Sequence, residues 1–185
     1  MSNMKKYLIT AVVLGSIAMA SGLLIGATNL LTSGPIAAYE KNQINNGIKE
    51  IFSDHENIHY SNDQDIEKDD TNQYVTHVYY VYDGTNENDS DNAFVGYALR
   101  AEGSNNYGKI ALIIGFNGSA FYKNISVIKN EQSFASTLNK QFIKKVKAGE
   151  RSYEDVSCGA TYGAKLIRDM IDNAESVIKN KIIKY

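Results

Sequence analysis

The hydrophobic pattern begins with one long apolar segment. Residues 7–31 contain no charged side chain and are rich in Leu, Ile, Val, Ala and Gly. About 25 residues at roughly 1.5 Å rise per residue form a helix close to 37 Å long, which is longer than the hydrocarbon core of a bilayer, about 30 Å. The pattern therefore predicts a transmembrane helix over 7–31, preceded by a short segment, 1–6.

A cleaved signal peptide is the alternative for this segment, because Ala-Met-Ala at 18–20 fits a small-x-small cleavage site. The apolar run continues for about ten residues beyond that site, longer than a secretory segment requires, which favours a retained anchor. Lys5 and Lys6 precede the run, and no basic residue follows until Lys41. The positive-inside rule then places 1–6 in the cytoplasm and the C-terminal domain outside the cell membrane.

One face of the predicted anchor carries small residues. Ala18, Gly22 and Gly26 recur at intervals of four. This spacing allows a second transmembrane helix to approach closely. We expect the anchor to dock on membrane subunits.

The pattern after the anchor predicts a juxtamembrane helix and a linker before the folded domain. Pro35 suits the first position of a helix, and apolar residues recur at helical spacing to about Phe52. Residues 53–73 are polar and acidic, which predicts an exposed linker. The helix and the linker fill 32–73, and the predicted domain covers 74–185.

Within the domain, β-branched and aromatic residues predict four strands, and Gly- and Asn-rich turns separate them. The loop predicted at 83–92 and the Asn117-Gly118 hairpin signal are two of these breaks. Amphipathic spacing predicts two helices after the strands. The expected fold is α+β, a small antiparallel sheet with helices packed on one side. The predicted strands are 74–82, 93–101, 109–116 and 121–129, and the helices are 134–146 and 164–182.

Charge and cysteine content exclude two classes of protein. Lys5 and Lys6 are the only charged residues before position 36, so the rest of the chain has 17 basic and 21 acidic residues, a net charge of −4. A mildly acidic domain lacks the basic surface that binds nucleic acid. Cys158 is the single cysteine, so no disulfide framework can form within the chain.

A loop of small residues precedes the last predicted helix. Asp155 begins the run Asp-Val-Ser-Cys-Gly-Ala-Thr, which ends at Thr161. A helix start offers unpaired amides and a partial positive charge, which suit a phosphate. Gly159 and Ala160 would let the backbone approach that phosphate, and Thr161 adds a hydroxyl. The alternative is an ordinary helix N-cap, at which Thr and Ser are favoured.

This run resembles the flavinylation motif of FMN-binding domains, Asp-x-x-Ser/Thr-Gly-Ala-Thr/Ser. Such domains occur in the G subunit of Rnf-type electron transport complexes and in the C subunit of sodium-translocating NADH:quinone reductases. Asp155, Gly159, Ala160 and Thr161 match in register, and Cys158 stands where the family has Ser or Thr. The resemblance implies that a flavin transferase links FMN to the hydroxyl of Thr161 through a phosphoester.

The resemblance extends along most of the chain. Residues 22–41 are similar to the family's membrane span and its exit into a Pro-Ile-Ala helix. Glu131, Ser133 and Phe134 fall where the family has the segment that lies beside the flavin ring. The resemblance therefore implies cofactor contacts at these residues. It also implies an electron carrier within a membrane complex that moves Na⁺ or H⁺, with no acid, base or nucleophile required.

A second motif suggests different chemistry. His55, Glu56 and His59 form H-E-x-x-H, which binds zinc in metallopeptidases when both histidines lie on one helical face. The helical pattern ends near Phe52, which disfavours that arrangement. An anchored surface metallopeptidase is therefore one alternative function. A non-catalytic anchored assembly module with an unmodified Thr161 is the other.

Overall fold

The computed structural model describes residues 2–84, 93–150, 152 and 156–183. The chain forms two compact units, Met1–Gln43 and Ile44–Tyr185. Residues 85–92 of the predicted loop lie outside the described residues, as does Asp155 of the motif. The second unit begins earlier than the predicted boundary between 73 and 74.

Helix α1 runs without interruption from Ser2 to Ile51 and contains Pro35. By length and composition, α1 is the one helix in the described part of the chain that could cross a membrane. The prediction that a separate helix begins at Pro35 is wrong. Proline inside a helix costs one hydrogen bond and adds a clash with the preceding turn, but its fixed φ is helical, so the helix can continue through it. No atom outside the helix lies within 4 Å of a Cβ placed at Gly22 or Gly26.

Five antiparallel strands form one sheet in the order β1-β2-β3-β4-β5. The four predicted strands are confirmed, with ends shifted by a few residues. The β4–β5 hairpin predicted from Asn117-Gly118 is also confirmed, although the residue with left-handed backbone in that turn is Ala120, at φ 61°. The strands are β1 Ile58–Asp65, β2 Val75–Asp83, β3 Ala93–Asn105, β4 Gly108–Asn117 and β5 Tyr122–Asn130.

Strand β1 lies in the segment that the sequence predicted to be a linker. It pairs with β2 from Ile58↔Asp83 to Asp65↔His77. Its sequence is mostly polar because it is an edge strand of the sheet, where backbone hydrogen bonds to one neighbour can fix a strand with few apolar side chains. The linker predicted over 53–73 is therefore wrong for this part.

Both faces of the sheet are covered, which corrects the prediction that helices pack on one side only. Strand β4 is buried almost throughout, as expected for a continuous apolar run that meets helices on two faces. The last turns of α1 cover one face, and the later helices cover the other. The cluster at α1 contains Ile44, Ile48, Ile51, Phe52, Tyr79, Val81, Ala98 and Ile113.

The other face carries three helices that the sequence predicted as two segments. The first segment is α2 Ala135–Leu138, a π-helical turn Asn139–Ile143 and α3 Lys144–Lys147. The second is α4 Thr161–Val177, which continues into a π-helical turn, Ile178–Ile182. The buried face of α4 includes Leu166, Ile167, Met170 and Ile171, which confirms the predicted apolar stripe.

Candidate functional site

Thr161 is the first residue of α4, and it does not act as the N-cap. Ala160 occupies the N-cap position, and its methyl side chain cannot cap the helix. The first helical hydrogen bond runs from the Ala164 amide to the Ala160 carbonyl. The ordinary N-cap proposed as the alternative role of Thr161 is therefore not what the structure contains.

The hydroxyl of Thr161 instead points back into the preceding loop. It lies within donor distance of the Val156 carbonyl, 3.2 Å, and of the Ser157 carbonyl, 3.3 Å. Thr161 is partly exposed, whereas the neighbouring Ala160 is buried. The loop is held to the helical segment beside it because the Ser157 amide donates to Gln141 Oε1 at 2.9 Å.

The start of α4 is electrostatically suited to an anion. The amides of the first three helical residues have no acceptor within a helix, by the geometry of the α-helix. The first turn contains no acidic residue, so no side chain of that turn offsets the positive end of the helix dipole.

Three exposed aromatic side chains, Tyr107, Phe134 and Tyr162, lie around the loop 157–160 and the first turn of α4; we call them the aromatic cluster. The rings of Tyr107 and Tyr162 stack with centroids 5.2 Å apart, and Tyr107 and Phe134 are 6.3 Å apart. Their exposed fractions are 37%, 44% and 58% in chain order. Exposed aromatic faces in contact with one another form a surface on which a planar ring can stack.

Gly159 connects the aromatic cluster to the loop. A Cβ at this position would come within 2.8 Å of the Phe134 ring. The close approach explains why the smallest residue stands there, and it places Phe134 directly against the loop that carries Thr161.

The β3–β4 turn completes the site from a third direction. The Ser133 amide donates to the Tyr107 carbonyl at 2.9 Å, and the Ser133 hydroxyl donates to the same oxygen at 3.2 Å. Gly108 has φ 137°, and a Cβ there would lie 2.1 Å from the Glu131 carbonyl oxygen. The turn at 105–108, the segment 131–134 and the loop 157–162 therefore converge on one place.

The structure brings most of the predicted site residues together. Ser133 bonds to the Tyr107 carbonyl, Phe134 lies against Gly159, and Gly159 and Ala160 form the loop before α4; contact of these residues with a cofactor stays a prediction. Cys158 is exposed in the same loop. The carboxylate of Glu131 pairs with Lys129 at 2.8 Å, so this residue contributes its backbone to the site. Asp155 lies outside the described residues.

Sequence reasoning missed Tyr162 and the structural roles of Tyr107, Gln132 and Asn105. Tyr162 directly follows the motif residue Thr161, which is a signal that was available. Tyr107 lies far away in sequence, and only the register of the β3–β4 hairpin brings it near. Gln132 is buried within the segment predicted to contact the cofactor.

The H-E-x-x-H motif does not form a metal site. His55 lies in the turn after α1, with Nδ1 2.9 Å from Asp83 Oδ2. His59 lies on β1 and stacks on Tyr82 at 5.9 Å. The two histidines do not share a helical face, and the described residues contain no group of three ligands able to hold a metal.

The chain matches no protein-family model, and no curated protein is significantly similar to it. At this site a partly exposed threonine, a helix start and exposed aromatic side chains occur together.

Proposed function

We propose that this chain is a membrane-anchored flavoprotein that carries FMN linked by a phosphoester to Thr161. The observation that carries the proposal is the position of Thr161. It is the first residue of a 17-residue helix whose N-cap is Ala160, and the exposed rings of Tyr107, Phe134 and Tyr162 lie around the start of that helix. The phosphate end and the ring end of the cofactor would thus each have a suitable surface.

Different residues at the site would hold the phosphate and the ring of the cofactor. Amides of the first turn of α4 favour the negative phosphate, and Gly159 and Ala160 present little side chain in its way. The aromatic cluster offers faces to the isoalloxazine ring. When bound, FMN supplies the electron-transfer chemistry, and the protein supplies attachment and orientation. No acid or base of the chain is required.

The cellular setting follows from helix α1 and the basic residues before it. Residues 7–31 lie within a helix able to span a membrane, and Lys5 and Lys6 favour a cytoplasmic N-terminus. The flavin domain would then lie outside the cell membrane, where a covalent bond prevents loss of the cofactor. We infer that the chain relays electrons among membrane subunits of an ion-translocating complex similar to the Rnf type, after a flavin transferase attaches the FMN.

Intact mass of the full chain, produced together with a flavin transferase, tests this proposal. We expect one added FMN in the unchanged protein and in-gel flavin fluorescence after SDS denaturation. Thr161→Ala should abolish both signals, and Thr161→Ser should retain them because the hydroxyl remains. Ser157→Ala is the matched control, since it removes a nearby exposed hydroxyl from the same loop.

Two results would count against the proposal in different ways. Flavin on Thr161→Ala would reject the attachment site. An unmodified wild-type chain would reject the electron carrier itself and favour an anchored assembly module. Zinc bound to purified protein would reopen the metallopeptidase alternative at His55, Glu56 and His59, although their placement disfavours it.

A further inference from the structure

Gln132 is a buried amide that holds the β3–β4 turn in place. It is 7% exposed, and it precedes Ser133 and Phe134 in the segment beside the proposed flavin. Its Nε2 donates to Asn105 Oδ1 at 3.1 Å and to the Gly108 carbonyl at 2.5 Å. Both acceptors belong to the turn that carries Tyr107, so this one buried amide holds the two ends of the turn together.

The same network reaches the residue after Thr161. Asn105 Nδ2 donates to the Tyr162 carbonyl at 3.2 Å, and Asn105 Oδ1 also accepts from the Tyr107 amide at 2.9 Å. The side chain of Gln132 packs against the first turn of α4, because its Oε1 lies 3.3 Å from the place of a Cβ on Gly163. Through these hydrogen bonds to backbone atoms, Gln132 and Asn105 connect the turn that carries Tyr107 to Tyr162 at the start of α4.

We propose that Gln132 is a positioning residue that sets where the flavin ring rests on the aromatic cluster, and thereby tunes its reduction potential. This inference rests on the proposed attachment of FMN to Thr161. Attachment fixes only the phosphate end of the cofactor. The orientation of the ring then depends on how Tyr107 stands relative to the start of α4. Asn105 bridges these two parts, and the Gln132 amide holds the Asn105 side chain and the turn in place. Hydrogen bonds and ring contacts around a flavin are the means by which a protein adjusts its electronics.

The test compares Gln132→Met with Asn173→Leu in the full flavinylated chain. Each change replaces a bridging amide by an apolar side chain of similar size. Asn173 also connects α4 to the sheet region, through the Thr71 carbonyl at 2.9 Å and the Tyr74 amide at 3.2 Å. It lies 12 residues, or about 18 Å, along the helix from Thr161. Both variants should lower Tm by several degrees.

Only Gln132→Met should alter the cofactor. We expect the same added mass as in the wild type, together with a changed visible circular dichroism spectrum and a shifted midpoint potential. Asn173→Leu should keep the wild-type spectrum and potential. A wild-type spectrum and potential in Gln132→Met would overturn the inference and leave Gln132 with a role in stability alone.

Asn105→Ala provides a second test if Gln132→Met does not fold. Asn105 is only partly buried, and the change removes the bond to the Tyr162 carbonyl. We expect the same direction of spectral change, and an unchanged spectrum would again overturn the inference. A wild-type chain that carries no flavin would instead reject the proposed function, and mass spectrometry separates that failure from the failure of Gln132 as a positioning residue.

Discussion

The two ends of helix α4 differ in how their polar and apolar groups are satisfied. At the C-terminal half, Asn173 donates to the Thr71 carbonyl and accepts from the Tyr74 amide. In the π-helical turn that continues α4, Lys181 donates to Asp69 Oδ2 at 2.5 Å. At the N-terminal end, the helix has no side-chain cap, and three aromatic rings remain substantially exposed.

This difference separates the part of the domain that is built for stability from the part that is available for a ligand. Buried polar groups are normally hydrogen-bonded within a native protein. The region around the C-terminal end of α4, which we call the distal end, follows that rule. Asn72, which is fully buried there, bonds with its amide to the Glu67 and Val75 carbonyls. At the start of α4, by contrast, the rings of Tyr107, Phe134 and Tyr162 are exposed, and the amides of the first turn have no acceptor within the helix.

The largest expected loss of stability comes from Gly108, in the β3–β4 turn near the start of α4. Gly108→Ala would place a Cβ 2.1 Å from the Glu131 carbonyl oxygen, at φ 137°, so we expect a loss on the order of 3 kcal/mol in unfolding free energy. Gly149→Ala is the matched control, because its φ is 89° and a Cβ there would meet no atom of the described residues within 4 Å. It should cost about 1 kcal/mol, the strain of a left-handed backbone.

Urea unfolding of the detergent-solubilised chain, followed by circular dichroism, measures both glycine variants. Equal losses would mean that the close approach of the turn to the Glu131 carbonyl contributes nothing beyond backbone strain. The convergence of three segments at the site would then have a weaker structural basis.

A smaller effect is expected from the distal end. Asn72→Ala removes two bonds donated by its amide and the bond from the Val75 amide to Asn72 Oδ1 at 2.9 Å. Leaving such buried groups unpaired should cost about 2 kcal/mol. Flavin content should not change, because Asn72 lies away from Thr161. Loss of flavin in a folded Asn72→Ala protein would contradict the separation of the two ends.

Asn180→Ala is the control for this variant. Asn180 is exposed and bonds only locally, to Ser176 Oγ at 3.1 Å among the described residues. We expect a change within about 0.5 kcal/mol in the same unfolding measurement.

The smallest effect is a dependence on pH at the distal end. Hydrogen bonds from Lys181, then from Thr71 and the Asn72 amide, hold the pKa of Asp69 far below its ordinary value. The contribution of Asp69 to stability is therefore complete above pH of about 4, near the unfolded pKa. It is lost as the pH falls toward the folded pKa.

Tm measured from pH 5 downward tests the sign of this effect. The wild type should lose Tm more steeply below pH of about 4 than Asp69→Asn, which cannot titrate. Equal slopes would show that the Lys181 contact is too exposed to solvent to stabilise the fold.

Most of the sheet could be predicted from sequence, and the two errors about it have different causes. Strands β2 to β5 have alternating or continuous apolar residues, which report burial directly. Strand β1 was missed because its polar residues lie at an edge and its pairing is made by the backbone. The packing of the end of α1 on the sheet was missed because the spacing of apolar residues in a helix does not identify the surface on which the helix packs.

The site was predictable where it is local in sequence and not where it depends on register. The loop from Cys158 to Thr161 and the helix after it were expected from residue types alone. Tyr107 approaches Tyr162 only because β3 and β4 pair with Asn105 opposite Gly108. Gln132 looks like any polar loop residue until the turn it supports is in place.

The last turns of α1 have a consequence for shedding of the domain by proteases. Residues from Ile44 to Phe52 supply half of one apolar cluster against Tyr79 and Ile113, and Glu50 also contacts Ser126 and Lys147. A cut before Ile44 would release a fragment that keeps this cover. A cut in the exposed stretch after Phe52 would expose an apolar face of the sheet to solvent, and the fragment would aggregate. The peptide bond at which release occurs thus decides whether the liberated domain survives.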